Sequence, residues 1–118
     1  MPKKPQILSV SSQQKSSRFN VEKVKLRFAN GEEREFERTV SHVAGIVIIV
    51  PILDDHLLLI REYGLGVDQY FMGFPKGAVD AGETSIAAAQ RELMEEAGYG
   101  ANQLTPLCQF ATSPAYVA

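Results

Sequence analysis

Between Gly77 and Tyr99 the chain reads GAVDAGETSIAAAQRELMEEAGY, which sets four carboxylates, Glu83, Glu92, Glu95 and Glu96, beside one arginine, Arg91. On a helix, positions 92, 95 and 96 are neighbours, and like charges so spaced cost about 0.2–0.5 kcal/mol per pair. A chain shaped by helix stability alone would space such anions or interleave lysines. A hard divalent cation, Mg2+ or Mn2+, resolves the repulsion, because it takes carboxylate and phosphate oxygens together. The bland alternative is a solvated acidic face with Arg91 and Glu95 as an i, i+4 ion pair. The offsets of Gly77, Glu83, Arg91 and Gly98 around the cluster weigh against it. Gly77 and Gly82 permit a tight turn and close approach to a ligand. Arg91 can reach back to Glu83 as a two-pronged partner and so tie loop to helix.

These groups need a helix, a loop and strands to hold them. Thr84 is placed to cap the helix, with Glu83 near its positive end, and Gly98 to terminate it. Ile86, Ala89, Leu93 and Ala97 follow helical spacing and are expected in the core. Upstream, Val24, Leu26 and Phe28 alternate with Lys23, Lys25 and Arg27, the pattern of a half-exposed strand. Asn30-Gly31 reads as a type I′ turn, and Glu33 to Val40 as the returning strand. Val43 to Ile52, nearly all β-branched, reads as a strand covered on both faces. Asp54-Asp55 makes a turn with His56 solvated beside it, and Leu57 to Tyr63 runs back as a strand. An aromatic segment, Tyr70 to Phe74, leads into Pro75-Lys76-Gly77, and Leu104 to Thr112 suggests one more strand. Residues 1–20, rich in Ser, Gln and Lys, are expected to form a flexible arm.

With 118 residues, 45% of them hydrophobic, the chain has the size and composition of one small domain. No apolar run reaches the roughly 20 residues that span a bilayer, so no membrane partner is expected. The N-terminal lysines are not followed by the apolar core of a secretory signal. A lone cysteine, Cys108, excludes an internal disulfide and fits a reducing cytoplasm. The net charge of −2 argues against general nucleic-acid binding. It leaves room for an anionic substrate, because bound cations invert the local field.

The pattern G-x5-E-x7-R-E-x-x-E-E-x-G resembles the signature of the Nudix hydrolases at every charged and glycine position; Tyr99 stands where that family carries an aliphatic residue. The resemblance runs from about Glu37 to Pro114. It implies an α+β fold, an α/β/α sandwich with a mixed sheet, with residues 21–118 as the Nudix domain behind an N-terminal antiparallel hairpin. It implies metal ligands at Glu92 and Glu96, joined by Glu95 and the carbonyl of Lys76. It also assigns Glu95, Glu83 and Arg91 to catalysis, the last two as organisers of the site. The implied reaction is metal-assisted cleavage of a nucleoside diphosphate linked to a second group X.

The segments IREYGLG and YFMGFPKG look like the ADP-ribose and ADP-compound branch. There Arg61 would lie near the diphosphate with Glu62 beside it, and the hairpin would build a homodimer. Tyr63, Tyr70 and Phe74 could stack on a base, although core packing is the plainer use of each. GFPKG is also similar to the turn of dinucleoside polyphosphate hydrolases, in which a lysine, here Lys76, helps neutralise a longer phosphate chain. A tryptophan often precedes that turn, and this protein has none. ADP-ribose-like substrates are therefore expected. A dinucleoside polyphosphate hydrolase and a non-catalytic nucleotide-binding module are the alternatives. The chain ends about 19 residues after Tyr99, where Nudix domains continue with more strands and a second helix. The C-terminal part thus reads as missing, one sheet face as exposed, and activity as weak or absent.

Overall fold

A computed structural model describes residues 2–118. The chain divides into two units, Met1–His42 with Gln109–Ala118, and Val43–Cys108. In the first unit, β1 (Gln6–Lys15), β2 (Phe19–Arg27) and β3 (Glu33–Ser41) form an antiparallel sheet in the order β1-β2-β3. The segment expected to be a flexible arm is therefore largely a ten-residue strand. Its few apolar residues explain why: Ile7 pairs with Leu26 and Val10 with Val24, across a register shift between Ile7 and Ser9. That bulge puts two residues three apart on one face, which plain alternation cannot do.

The β2–β3 hairpin is present, with Arg27 opposite Glu33, but its turn differs from the type I′ reading. Phe28 N–H donates to the Glu32 carbonyl at 2.8 Å and Gly31 N–H to the Phe28 carbonyl at 3.0 Å. Gly31 has φ +87°, whereas Asn30 keeps a negative φ. This is the three-residue loop in which a glycine in the left-handed region follows a type I turn. Asn30 caps it through its side chain, accepting from Glu32 N–H at 3.0 Å. The two-residue turn with both φ values positive lies elsewhere, at Asp54 (49°) and Asp55 (60°).

The second unit carries short antiparallel ribbons and one helix. In chain order these are β4 (Ile46–Ile48), β5 (Ile52–Leu53), β6 (His56–Leu57), β7 (Ile60–Gly64), β8 (Gln69–Gly73), β9 (Lys76–Ala78) and α1 (Ser85–Ala97). The ribbons are β4–β9, β5–β6 and β7–β8, and α1 packs on β9 and β4. Val43 to Ile52 is covered on one face only: Ile49 is 5% exposed, whereas Ile46 and Ile48 are 67% and 49% exposed. A strand with α1 on one side buries every second residue. No strand forms over 104–112.

The fold is α+β. Among the described residues α1 is the single helix, so one helical layer of the sandwich is present. The parallel component of the expected mixed sheet is there a single bridge, Thr39 to Val117. Thr84 has extended backbone and accepts from Ala87 N–H at 3.1 Å, capping α1. Gly98, at φ +73°, ends it by donating to the Met94 carbonyl at 3.0 Å. Leu93 is buried as expected, but Ile86 stays exposed and Ala88 is the helix's most buried residue. A methyl at position 88 lets the helix approach the β4–β9 ribbon closely.

Candidate active site

The loop before α1 is a four-residue turn closed by Glu83 N–H donating to the Asp80 carbonyl at 3.0 Å. Gly82 occupies its third position at φ +77°, where side chains are strained. The turn delivers Glu83 to the helix start, and its carboxylate also accepts from Asp80 N–H at 3.0 Å. Arg91, two turns along α1, forks onto Glu83: Nε donates to Oε1 at 2.9 Å and Nη2 to Oε2 at 3.0 Å. The same Nη2 donates to the Ala78 carbonyl at 2.9 Å and lies 3.4 Å from Asp80 Oδ2. One guanidinium thereby joins β9, the loop and the helix. Arg91 and the Asp80 N–H hold the Glu83 carboxyl below the usual carboxylate range, and Glu83 with Glu92 pushes the Arg91 pKa up.

The remaining glutamates are held one oxygen at a time. Arg91 Nη1 donates to Glu92 Oε1 at 2.8 Å and to Glu95 Oε2 at 3.4 Å. Glu96 Oε2 accepts from the main-chain N–H of Lys76 at 3.0 Å. The second oxygen of each is left without a hydrogen-bond partner among the described residues. A methyl built at Gly77 would overlap the Glu92 carboxylate, so this glycine makes room for a glutamate rather than for backbone torsion. Among the described residues no three acidic or histidine groups converge as a ready metal cage. Arg91 holds Glu92 and Glu95, while Lys76 holds Glu96. An oxygen-only donor set with free lone pairs beside a glycine turn nevertheless suits a hard dication such as Mg2+ or Mn2+.

Strand alternation separates Arg61 from Glu62. In the β7–β8 ribbon, Arg61 opposes Met72, Glu62 opposes Phe71 and Tyr63 opposes Tyr70. Glu62 pairs with the Lys76 ammonium through Oε1, and that ammonium lies 5.6 Å from the Phe71 ring centroid. Arg61 lies on the other face, its guanidinium 5.0 Å from the Tyr70 ring centroid. Tyr63 and Tyr70 meet edge to face there at 5.4 Å, and the Tyr63 hydroxyl donates to Asp68, which pushes its pKa up. The ribbon thus brings Glu62, and not Arg61, to the Lys76 ammonium. Sequence reasoning missed Asp80 and Phe71; Asp80 could have been suspected from its place in the glycine loop, whereas Phe71 needed the strand register.

The sequence of residues 43–117 matches the NUDIX domain model, and the chain belongs to the Nudix family. Residues 5–38 match the NudE-type Nudix hydrolase N-terminal domain, which accounts for β1 and the hairpin. Among relatives, the ADP compounds hydrolase NudE of Escherichia coli is 50% identical over 113 residues, covering 96% of this chain and 61% of that protein. The ADP-ribose pyrophosphatase of Bacillus subtilis is 28% identical over 96 residues, covering 81% of this chain and 50% of that one. A crystal structure of an ADP compounds hydrolase superposes with a TM-score of 0.90 at 47% identity, over all of this chain and 64% of the solved one. The chain thus spans less than two thirds of the length of these relatives.

Proposed function

We propose that this chain carries the metal- and diphosphate-binding part of a hydrolase that cleaves ADP-ribose or related ADP-X compounds to AMP and phospho-X. The observation that carries the reading is the brace of Arg91 on Glu83, Glu92 and Glu95, set against the Lys76 N–H on Glu96. Glu92 and Glu96, with Glu95 and the Lys76 carbonyl, are the groups that would hold Mg2+ or Mn2+. When bound, such an ion would supply the positive charge that polarises the phosphate and makes a water more acidic. Glu83 and Arg91 keep the glutamates aimed, and Glu95, whose side chain is 57% exposed, would handle the water's proton. Lys76 and Glu62 border the place of the diphosphate. The similarity to ADP compounds hydrolases supports the substrate class.

No helix among the described residues is long and apolar enough to cross a membrane. We also infer a reducing, cytoplasmic setting, supported by the lone Cys108. A homodimer through the N-terminal sheet is supported by exposed Ile7, Val10 and Phe36. An apolar cleft of about 250 Å3 beside them is lined by Val24, Leu26 and Phe28. Light scattering that shows only monomers would overturn that part.

The test of the activity is incubation with ADP-ribose and Mg2+, with products separated by chromatography. AMP and ribose 5-phosphate are expected, formed slowly by this chain, and Glu96→Gln should lower that turnover about 100-fold with its circular dichroism spectrum unchanged. Wild-type turnover in the Glu96→Gln protein would point instead to a non-catalytic binding module.

A further inference from the structure

We infer that Glu62 sets the length of phosphate chain the site prefers, by neutralising Lys76; the inference rests on the diphosphate-binding reading above. Three observations meet at Lys76. Its main-chain N–H holds Glu96, so its side chain starts at the metal-binding glutamates. Its ammonium is paired with Glu62 on β7. Phe71, opposite Glu62 in the ribbon, lies beneath the same ammonium.

The two side chains of the pair are 40% and 30% exposed, so water and an incoming anion can reach them. An ion pair this accessible is weak enough to be exchanged. The charge balance decides the consequence. Lys76 and Glu62 together carry no net charge, so a diphosphate already bound by metal meets a neutral wall. A further phosphate reaching Lys76 must displace Glu62 and then lie beside an unpaired carboxylate. The site is thereby biased towards short phosphate chains, although its turn carries a lysine suited to longer ones. Removing the Glu62 charge would release a full positive charge to the added phosphate.

Binding of inorganic pyrophosphate and tripolyphosphate at constant Mg2+, followed by calorimetry, tests this without relying on turnover. Glu62→Gln should raise the affinity ratio of tripolyphosphate to pyrophosphate about three- to ten-fold, the range expected of one partly screened charge. Glu62→Asp, which keeps the charge, should retain the wild-type ratio. Lys76→Met, which leaves Glu62 uncompensated, should lower the ratio, and Glu62→Gln made in that background should restore no preference for the longer chain. A purely structural Glu62 would change both affinities, or the melting temperature, without moving the ratio. An unchanged ratio in Glu62→Gln overturns the proposal; should that variant not fold, an unchanged ratio in Lys76→Met does so. Failure of ADP-ribose to bind the wild-type chain in the presence of Mg2+ would instead count against the functional reading, leaving the pyrophosphate and tripolyphosphate ratios to be judged separately.

Discussion

Gly77→Ala separates metal binding from folding more cleanly than any change to a glutamate. The added methyl falls inside the Glu92 carboxyl group, and the carboxylate must swing away from Arg91 Nη1, with which it makes a 2.8 Å bond. Glu92 is only 12% exposed, so few other rotamers are open to it. Moving it off its preferred rotamer costs about 0.5–1.5 kcal/mol. Gly77 is outside the positive-φ region, so alanine fits its backbone and recovers about 0.4–1 kcal/mol by stiffening the unfolded chain. These two effects nearly cancel, and the lost hydrogen bond to Arg91 leaves a net destabilisation of about 1–2 kcal/mol, or roughly 5–15 °C in melting temperature. Metal affinity has no such compensation and should fall about 10–100-fold, as when a ligand loses its support. Mn2+ titration followed by electron paramagnetic resonance, beside thermal unfolding by circular dichroism, reads both quantities on one sample. A Gly77→Ala protein that binds Mn2+ as tightly as wild type would refute the reasoning, because Glu92 would then not need that space.

Two further changes test the scaffold around the site. Glu83 titrates below the ordinary carboxylate value of 4.5 because Arg91 and the Asp80 N–H favour its charged form. The stability it contributes is complete above that value and is lost as the pH falls from there through the depressed folded-state value. Melting curves of wild type and Glu83→Gln should therefore differ at neutral pH and converge in acid, and a gap that persists below pH 2 would contradict this. Gly98→Ala should destabilise by about 1–2 kcal/mol, because alanine resists the left-handed φ of +73° while nothing crowds its methyl. Denaturant unfolding monitored at 222 nm would show the midpoint drop, with no change in metal affinity expected.

What could be read without the structure was local. The helix caps at Thr84 and Gly98 depend on residues within four positions of one another. The fork from Arg91 to Glu83 depends on helical spacing and a short loop, and the amino-acid order specifies both. Errors arose where the pairing of strands chose the outcome. The loop at Asn30-Gly31 looked like a two-residue turn, but the pairing of Phe28 with Glu32 made it three residues with only Gly31 strained. The N-terminal residues looked mobile because β1 has little apolar periodicity of its own. Its order comes from the edge of β2 and from the bulge that aligns Ile7 with Val10.

The amino-acid order by itself determined the make-up of the candidate site: a glycine turn, an arginine brace and three helix glutamates, whose spacing along one helix sets their mutual distance. The tertiary structure decided which neighbours meet that helix. Arg61 and Glu62 are adjacent in the chain, yet the pleat sends one to Tyr70 and the other to Lys76. Likewise Ile46 and Ile48 stay exposed while Ile49 is buried, because α1 covers one side of that strand. Side-chain direction in a strand is settled by which face finds a partner, and that partner comes from elsewhere in the chain.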